Sequence, residues 1–296
     1  MFRSWITLAV LLGSFHGRVA LGQPMDKIRL VVMADDFAAN HAVNEGTLNA
    51  FKKGVVTTTN VIVPAAWFPE AVAMAKDNPG LDVGIHLALT SEWELYKWRP
   101  LTRPKTLVDR DGFFFSMVWK NSKLPDGNSL QESGLDLTEV EVELRAQIEL
   151  ARRKIPRVSY LWPHMVFSGL RPELRSLVDR LGKEYNIPNF QTVIDTMGLK
   201  SLAPGYSGED SAEVKADKLI AALESIGPGT WLMVDHASLD SDEMRAMSHA
   251  GYEWVARDRS GNMKMWMDPG VQAILKKRGI ELVSAGKICV EYLQRN

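Results

Sequence analysis

Short apolar runs that end abruptly in polar residues, with helical patterns between them, constrain the fold of this chain more than any other feature. The first, IRLVVMADD after Lys27, is apolar at successive positions, as a strand covered on both faces must be. Comparable runs occupy 56–63, 81–89, 158–164, 189–194, 230–236 and 280–285. Helical patterns fall at 42–53, at PEAVAMAKD, at 138–154, at RPELRSLVDRLGKEY, and near 211–226, 240–255 and 286–294. Strands alternating with helices of this length need crossover connections, and hence a mostly parallel sheet. The predicted fold is α/β: a single distorted (β/α) barrel of about seven parallel strands. Residues 91–137 interrupt the alternation with Trp, Pro, Gly and Lys and an Asp111-Gly112 turn signal, and are expected to form an insertion over the barrel mouth. The helix after it opens with the capping-box spacing Thr138 to Glu141.

Arg3 precedes an apolar run from Trp5 to Leu12, and small residues follow at Ala20 and Gly22, the layout of a secretory signal peptide. That run is shorter than the ~20 residues a membrane span requires. Residues 1–22 are therefore expected to be removed on export, leaving 23–296 as one periplasmic or secreted domain with no membrane span. Cys289 is the only cysteine, so no intramolecular disulfide can form. With 35 basic and 36 acidic residues the chain carries a formal net charge of −1, too even to follow a phosphate backbone. Nucleic acid is not expected as a partner.

In parallel α/β folds, functional side chains collect at the C-terminal ends of the strands, where the loops converge. Asp35 and Asp36 close the first run, His86 lies in the third, His164 closes the fourth, and Asp235 and His236 close TWLMV. Strand alternation puts His86, Ala88 and Thr90 on one face and Ile85, Leu87 and Leu89 on the other. By the same rule Asp35 and Asp36 face opposite ways, so the chain must turn sharply if both are to reach one site. Taken singly, each of these residues reads as well as a helix cap or a hydrogen-bonded core histidine. Together they supply two imidazoles and a carboxylate, a set that suits a divalent ion with coordination positions left open. Asp35 is then the candidate base for a water, and His236 the candidate acid for a leaving group. His41 and His249, in segments read as helical, are left out of the set.

Trp93, Trp98 and Trp119 offer flat apolar faces on which sugar rings stack. Arg257, beside Asp258, is a candidate to bind substrate or orient the acid.

The segments ADDFAAN (34–40), GIHLALTSEW (84–93), Pro156 through the His164-Met165 pair to EYNIP (184–188), and DHAS (235–238) resemble the carbohydrate deacetylases of the YdjC type, also called the ChbG/HpnK family. The resemblance runs in order along almost the whole chain after residue 22. It implies a distorted (β/α) barrel that removes acetyl groups from N-acetylated sugars with a divalent metal, Zn²⁺ or Mg²⁺. It also implies Asp36, His86 and His164 as metal ligands, Asp35 as base, and His236 as the late histidine. Three departures stand out. Ala38 replaces the glycine of ADDFG, Tyr160 and Trp162 replace a histidine and an aspartate before the His-Met pair, and Ala237 replaces the proline after His236. Trp162 thereby joins the candidate substrate-binding residues. The expected function is metal-dependent removal of acetyl groups from a carbohydrate. The alternatives are a carbohydrate-binding protein on a degenerate deacetylase scaffold and a hydrolase of the same chemistry acting on another amide or ester.

Overall fold

The computed structural model describes residues 27–295, so the expected signal peptide at 1–22 lies outside the described residues. Seven strands form one sheet: β1 (Ile28–Phe37), β2 (Thr58–Val61), β3 (Asp82–Leu87), β4 (Leu161–Pro163), β5 (Lys200–Ser201), β6 (Gly229–His236) and β7 (Glu281–Leu282). Every pairing is parallel, in the order β4-β3-β2-β1-β6-β5. β7 adds to β1 at Arg29 and Leu30, while β2 takes the same strand from Met33 onward. The sheet curls into a half-barrel, with β4 and β5 at its two ends.

Among the described residues ten helices surround the sheet: α1 (His41–Lys53), α2 (Phe68–Asp77), α3 (Leu137–Lys154), α4 (Pro172–Tyr185), α5 (Phe190–Met197), α6 (Ala212–Ser225), α7 (Asp242–Ala246), α8 (Val255–Trp266), α9 (Pro269–Arg278) and α10 (Ala285–Arg295). None of the described helices is long and apolar enough to cross a membrane. All ten residues of β1 are buried because both its faces are covered. Leu30, Val32 and Ala34 meet residues of α6, α8 and α9 such as Leu219, Met263 and Leu275. Val31 and Met33 look into the curl, packed with Tyr160, Leu232, Phe190 of α5 and Ile288 of α10.

Three sequence expectations are overturned, the first at α3, whose N-cap is Asp136, accepting from Thr138 N, while Glu141 pairs with Arg145 and Arg180 instead of closing a capping box with Thr138. Residues 189–194 are not a strand: Asn189 bridges Leu161 once, then its side chain accepts from Gln191 N and starts α5. Phe190, Val193, Ile194 and Met197 recur at helical spacing and fill the inner core, a pattern that a six-residue apolar window cannot separate from a strand. The edge strand is instead the two-residue β5. The helix expected at 240–255 shrinks to α7, and α8 and α9, which no apolar periodicity announced, follow it.

Residues 91–129 contain no helix or ladder strand, only isolated bridges such as Val108 with Phe114. They are nonetheless part of the main core, to which Trp93, Trp98, Leu107, Phe114 and Val118 contribute buried side chains.

Candidate metal centre

β1 breaks its own alternation where the site begins. Its register with β2 shifts between Ala34 and Phe37, and Asp36 sits at φ 69°, in the left-handed region. That turn brings Asp36, which strict alternation would aim at α8, to the same side as Asp35. His86 needs no such device, since Val83, Ile85 and Leu87 enter the core while the opposite face carries Gly84 and His86. His164 is placed by a sharp exit from β4 into a 3₁₀ turn, His164–Gly169, in which Met165 and Val166 adopt φ 48° and 54°.

Three donor atoms meet at the top of these strands. Asp36 Oδ1 lies 3.3 Å from His86 Nε2 and 3.5 Å from His164 Nδ1, and the two nitrogens are 3.2 Å apart. A near-equilateral triangle of this size has a point just off its plane about 2.0–2.1 Å from each corner, the bond length of zinc to nitrogen and oxygen. All three residues are buried, and among the described residues Asp36 Oδ1 has no hydrogen-bond donor. A buried carboxylate oxygen left without a donor is costly unless a cation or water satisfies it. The three residues fit a divalent metal.

The other Asp36 oxygen is held from behind. Arg259 of α8, itself buried, donates from Nη1 to Asp36 Oδ2 at 2.8 Å, and His236 Nε2 stands 3.5 Å from the same oxygen. Burial alone would raise the Asp36 pKa. His236, Arg259 and the imidazoles of His164 and His86 overcome it and hold the carboxyl well below its usual range. For His86, burial works downward, but the adjacent Asp36 and Asp35 carboxylates leave its pKa raised.

Asp35 flanks the triangle with Oδ2 4.0 Å from His86 Nε2. Its two oxygens are oriented by neutral donors, Oδ1 by Asn60 Nδ2 at 2.6 Å and Oδ2 by Trp162 Nε1 at 3.2 Å. His236 is backed by Asp235, whose Oδ1 lies 3.4 Å from Nδ1. Asp235 in turn accepts from Asn262 Nδ2 at 2.9 Å and from the Tyr206 hydroxyl at 2.5 Å. Buried Lys215 donates to Asn262 Oδ1 at 2.7 Å and pairs with Asp258, closing the network between α6 and α8.

The five residues expected at the metal and in catalysis thus converge, whereas of the expected substrate-binding residues only Trp162 and Trp98 touch them, and Trp93 and Arg257 do not. Trp93 is fully buried, stacked on His249 at 5.8 Å with the Arg259 guanidinium 5.0 Å from its ring centre. Trp98 is also buried and donates to the Thr90 carbonyl. The Trp93 ring is covered by its neighbours, and the Trp98 ring packs against Tyr96 and His164, 6.1 Å from the latter's ring centre. Arg257 points away and donates to the Glu209 carbonyl. Trp162 does reach the site, through Asp35. Asn60, Glu92 and Arg259 were not anticipated. Asn60 could have been, as a polar residue near the end of the VTTTNVIV run; Arg259 gave no local signal.

A profile of the family described as YdjC-like protein matches residues 29–277. The chain belongs to the YdjC-like family. Among curated proteins, this YdjC-like chain is 26% identical over 275 residues to "Carbohydrate deacetylase 2" of Listeria innocua, covering 87% of this chain and 97% of that one. It is 27% identical over 249 residues to the carbohydrate deacetylase of Thermus thermophilus, covering 77% and 83%. Among solved structures, a candidate cellobiose-phosphate cleavage protein from Enterococcus faecalis superposes with a TM-score of 0.69 at 25% identity, covering 88% of this chain and 99% of that one. The YdjC-like fold of the sequence expectation is the fold observed.

Proposed function

We propose that this chain is a divalent-metal-dependent deacetylase that hydrolyses the acetamido group of an N-acetylated carbohydrate. The observation that carries the reading is the buried triangle of Asp36 Oδ1, His86 Nε2 and His164 Nδ1 with the Asp35 carboxylate beside it. The names of the curated relatives support an acetylated sugar as substrate. The signal-peptide pattern of residues 1–22 supports action outside the cytoplasm.

Asp36, His86 and His164 would hold the ion. Bound there, it would polarise the acetyl carbonyl and acidify a water. Asp35, its oxygens set by Asn60 and Trp162, takes the proton of the attacking water. His236, backed by Asp235, delivers a proton to the departing amine nitrogen, so the amide and water leave as acetate and a free amino sugar. Arg259 keeps Asp36 from turning away. Trp119 (44% exposed) and Val166 (47% exposed), both beside Gly169 in the 3₁₀ turn that follows His164, offer an apolar ledge for the sugar ring.

Purified protein is expected to carry about one divalent ion per chain by elemental analysis, and to release acetate from acetylated sugars. Metal-free protein, or a His86→Ala variant, that released acetate as fast as the wild type would refute the reading.

A further inference from the structure

We propose that Glu92 is a positioning residue of the metal site, fixing His164 in the tautomer that presents its Nδ1 lone pair beside Asp36. This deepens the metal-dependent reading above and rests on it.

The two histidines face the site with different nitrogens. His86 Nδ1 lies 3.0 Å from the Trp162 carbonyl oxygen, which can only accept; the proton therefore sits on Nδ1 and Nε2 looks into the triangle with a lone pair. His164 is turned the other way. Its Nδ1 lies in the triangle, so a lone pair there requires the proton on Nε2. That Nε2 is buried and has no hydrogen-bond partner among the described residues. It faces Glu92 Oε2 at 4.0 Å, about 1 Å beyond a hydrogen bond.

Glu92 is held for this role from two sides. Its backbone sits at φ 63°, a left-handed conformation uncommon outside glycine and found where surrounding structure enforces it. Its other oxygen, Oε1, lies 3.5 Å from Nη2 of Arg259, the same guanidinium whose Nη1 grips Asp36. One buried Arg259 thus spans both carboxylates, one that presents an oxygen to the triangle and one that stands behind its imidazole. A carboxylate behind a ligating imidazole fixes its tautomer and raises its basicity.

The test is Zn²⁺ affinity of the metal-stripped chain, by chelator competition, in wild type, Glu92→Gln and Glu92→Asp. Glu92→Gln should bind Zn²⁺ ~10–100-fold more weakly, and Glu92→Asp should recover part of the loss. ¹⁵N-histidine NMR of the Zn²⁺-loaded wild type should show His164 protonated at Nε2 with slowed exchange, and Glu92→Asp, which keeps the carboxylate but withdraws it, should speed that exchange, a comparison that stands even if Glu92→Gln fails to fold. His164 protonated at Nδ1 would overturn the proposal, as would Glu92→Gln with wild-type affinity and an unchanged His164 signal. Wild-type protein that takes up no Zn²⁺ would overturn the metal reading and this inference with it, whereas a silent Glu92→Gln variant overturns this inference alone.

Discussion

The Trp162 indole donates from Nε1 to Asp35 Oδ2 across 3.2 Å. The related pattern has an aspartate at this position, a group that would repel Asp35 instead of orienting it. Hydrogen bonds to a charged group contribute about 1.5–3 kcal/mol, and about 1.4 kcal/mol is tenfold in rate. Trp162→Phe keeps most of the ring and removes the donor, so acetate release should lose roughly 10- to 100-fold in kcat with little change in KM. A wild-type kcat would show that Asn60 orients Asp35 alone.

His236 supplies a pH signature that needs no substrate. Burial and Arg259 push its pKa down, but Asp36, the hydrogen bond with Asp235 and the charge of Asp35 outweigh them and set it at about 9. A pKa raised on folding stabilises the protein fully below the unfolded value near 6.5, and that contribution is lost as pH rises through about 9. Metal-stripped protein should therefore show the His236 ring titrating near pH 9 by NMR, with stability declining over the same window. Zn²⁺ added at Asp36 cancels part of the carboxylate's pull, so the midpoint should move down. A midpoint at or below 6.5 in the stripped protein would contradict this account.

What the sequence disclosed depended on whether a residue's role was local. β1 and β3 were legible because burial on both faces writes a continuous apolar run, and the half-buried β6 because TWLMV is itself apolar; their last polar residues named Asp35, Asp36, His86 and His236. α8 was not legible. Its sequence VARDRSGNMKMW reads as solvated, yet Arg259 and Asn262 are buried because they serve Asp36 and Asp235. A polar helix facing a polar site carries no hydrophobic stripe, and the Arg259–Asp36 pair joins positions 223 residues apart. The same long range hid the role of Tyr160. Its ring lies where a side chain at Gly84 would be, and its hydroxyl donates to the Thr59 carbonyl at 2.8 Å.

Ala38 occupies a glycine position at φ 81° while fully buried. The left-handed conformation costs a non-glycine residue about 1–2 kcal/mol. Against this, glycine loses about 0.5–1 kcal/mol in chain entropy and the methyl contributes about 0.8 kcal/mol of burial. Ala38→Gly should therefore change stability by less than about 1 kcal/mol in either direction in urea unfolding, unlike a typical buried Ala→Gly change. A loss above about 1.5 kcal/mol would mean that the backbone strain is not there.

Glu143 tests how the segment after β3 is anchored. It is fully buried and accepts from Leu101 N at 3.0 Å, Thr102 N at 2.9 Å, the Thr102 hydroxyl at 2.5 Å and Gln147 Nε2 at 2.8 Å. Gln147 then bonds both the N–H and the carbonyl of Ala88, two residues past His86. One carboxylate on α3 thus ties the 101–102 loop to the strand that delivers His86, a candidate metal ligand. Glu143→Leu fills the space but leaves these donors without an acceptor, at about 1–3 kcal/mol for each buried group stranded. Unfolding free energy should fall by roughly 3–5 kcal/mol, and Zn²⁺ affinity should fall with it because the end of β3 loosens. Glu143→Gln keeps one acceptor oxygen and should lose less than half as much. If Glu143→Leu unfolded at the wild-type denaturant midpoint, the carboxylate would not be the anchor.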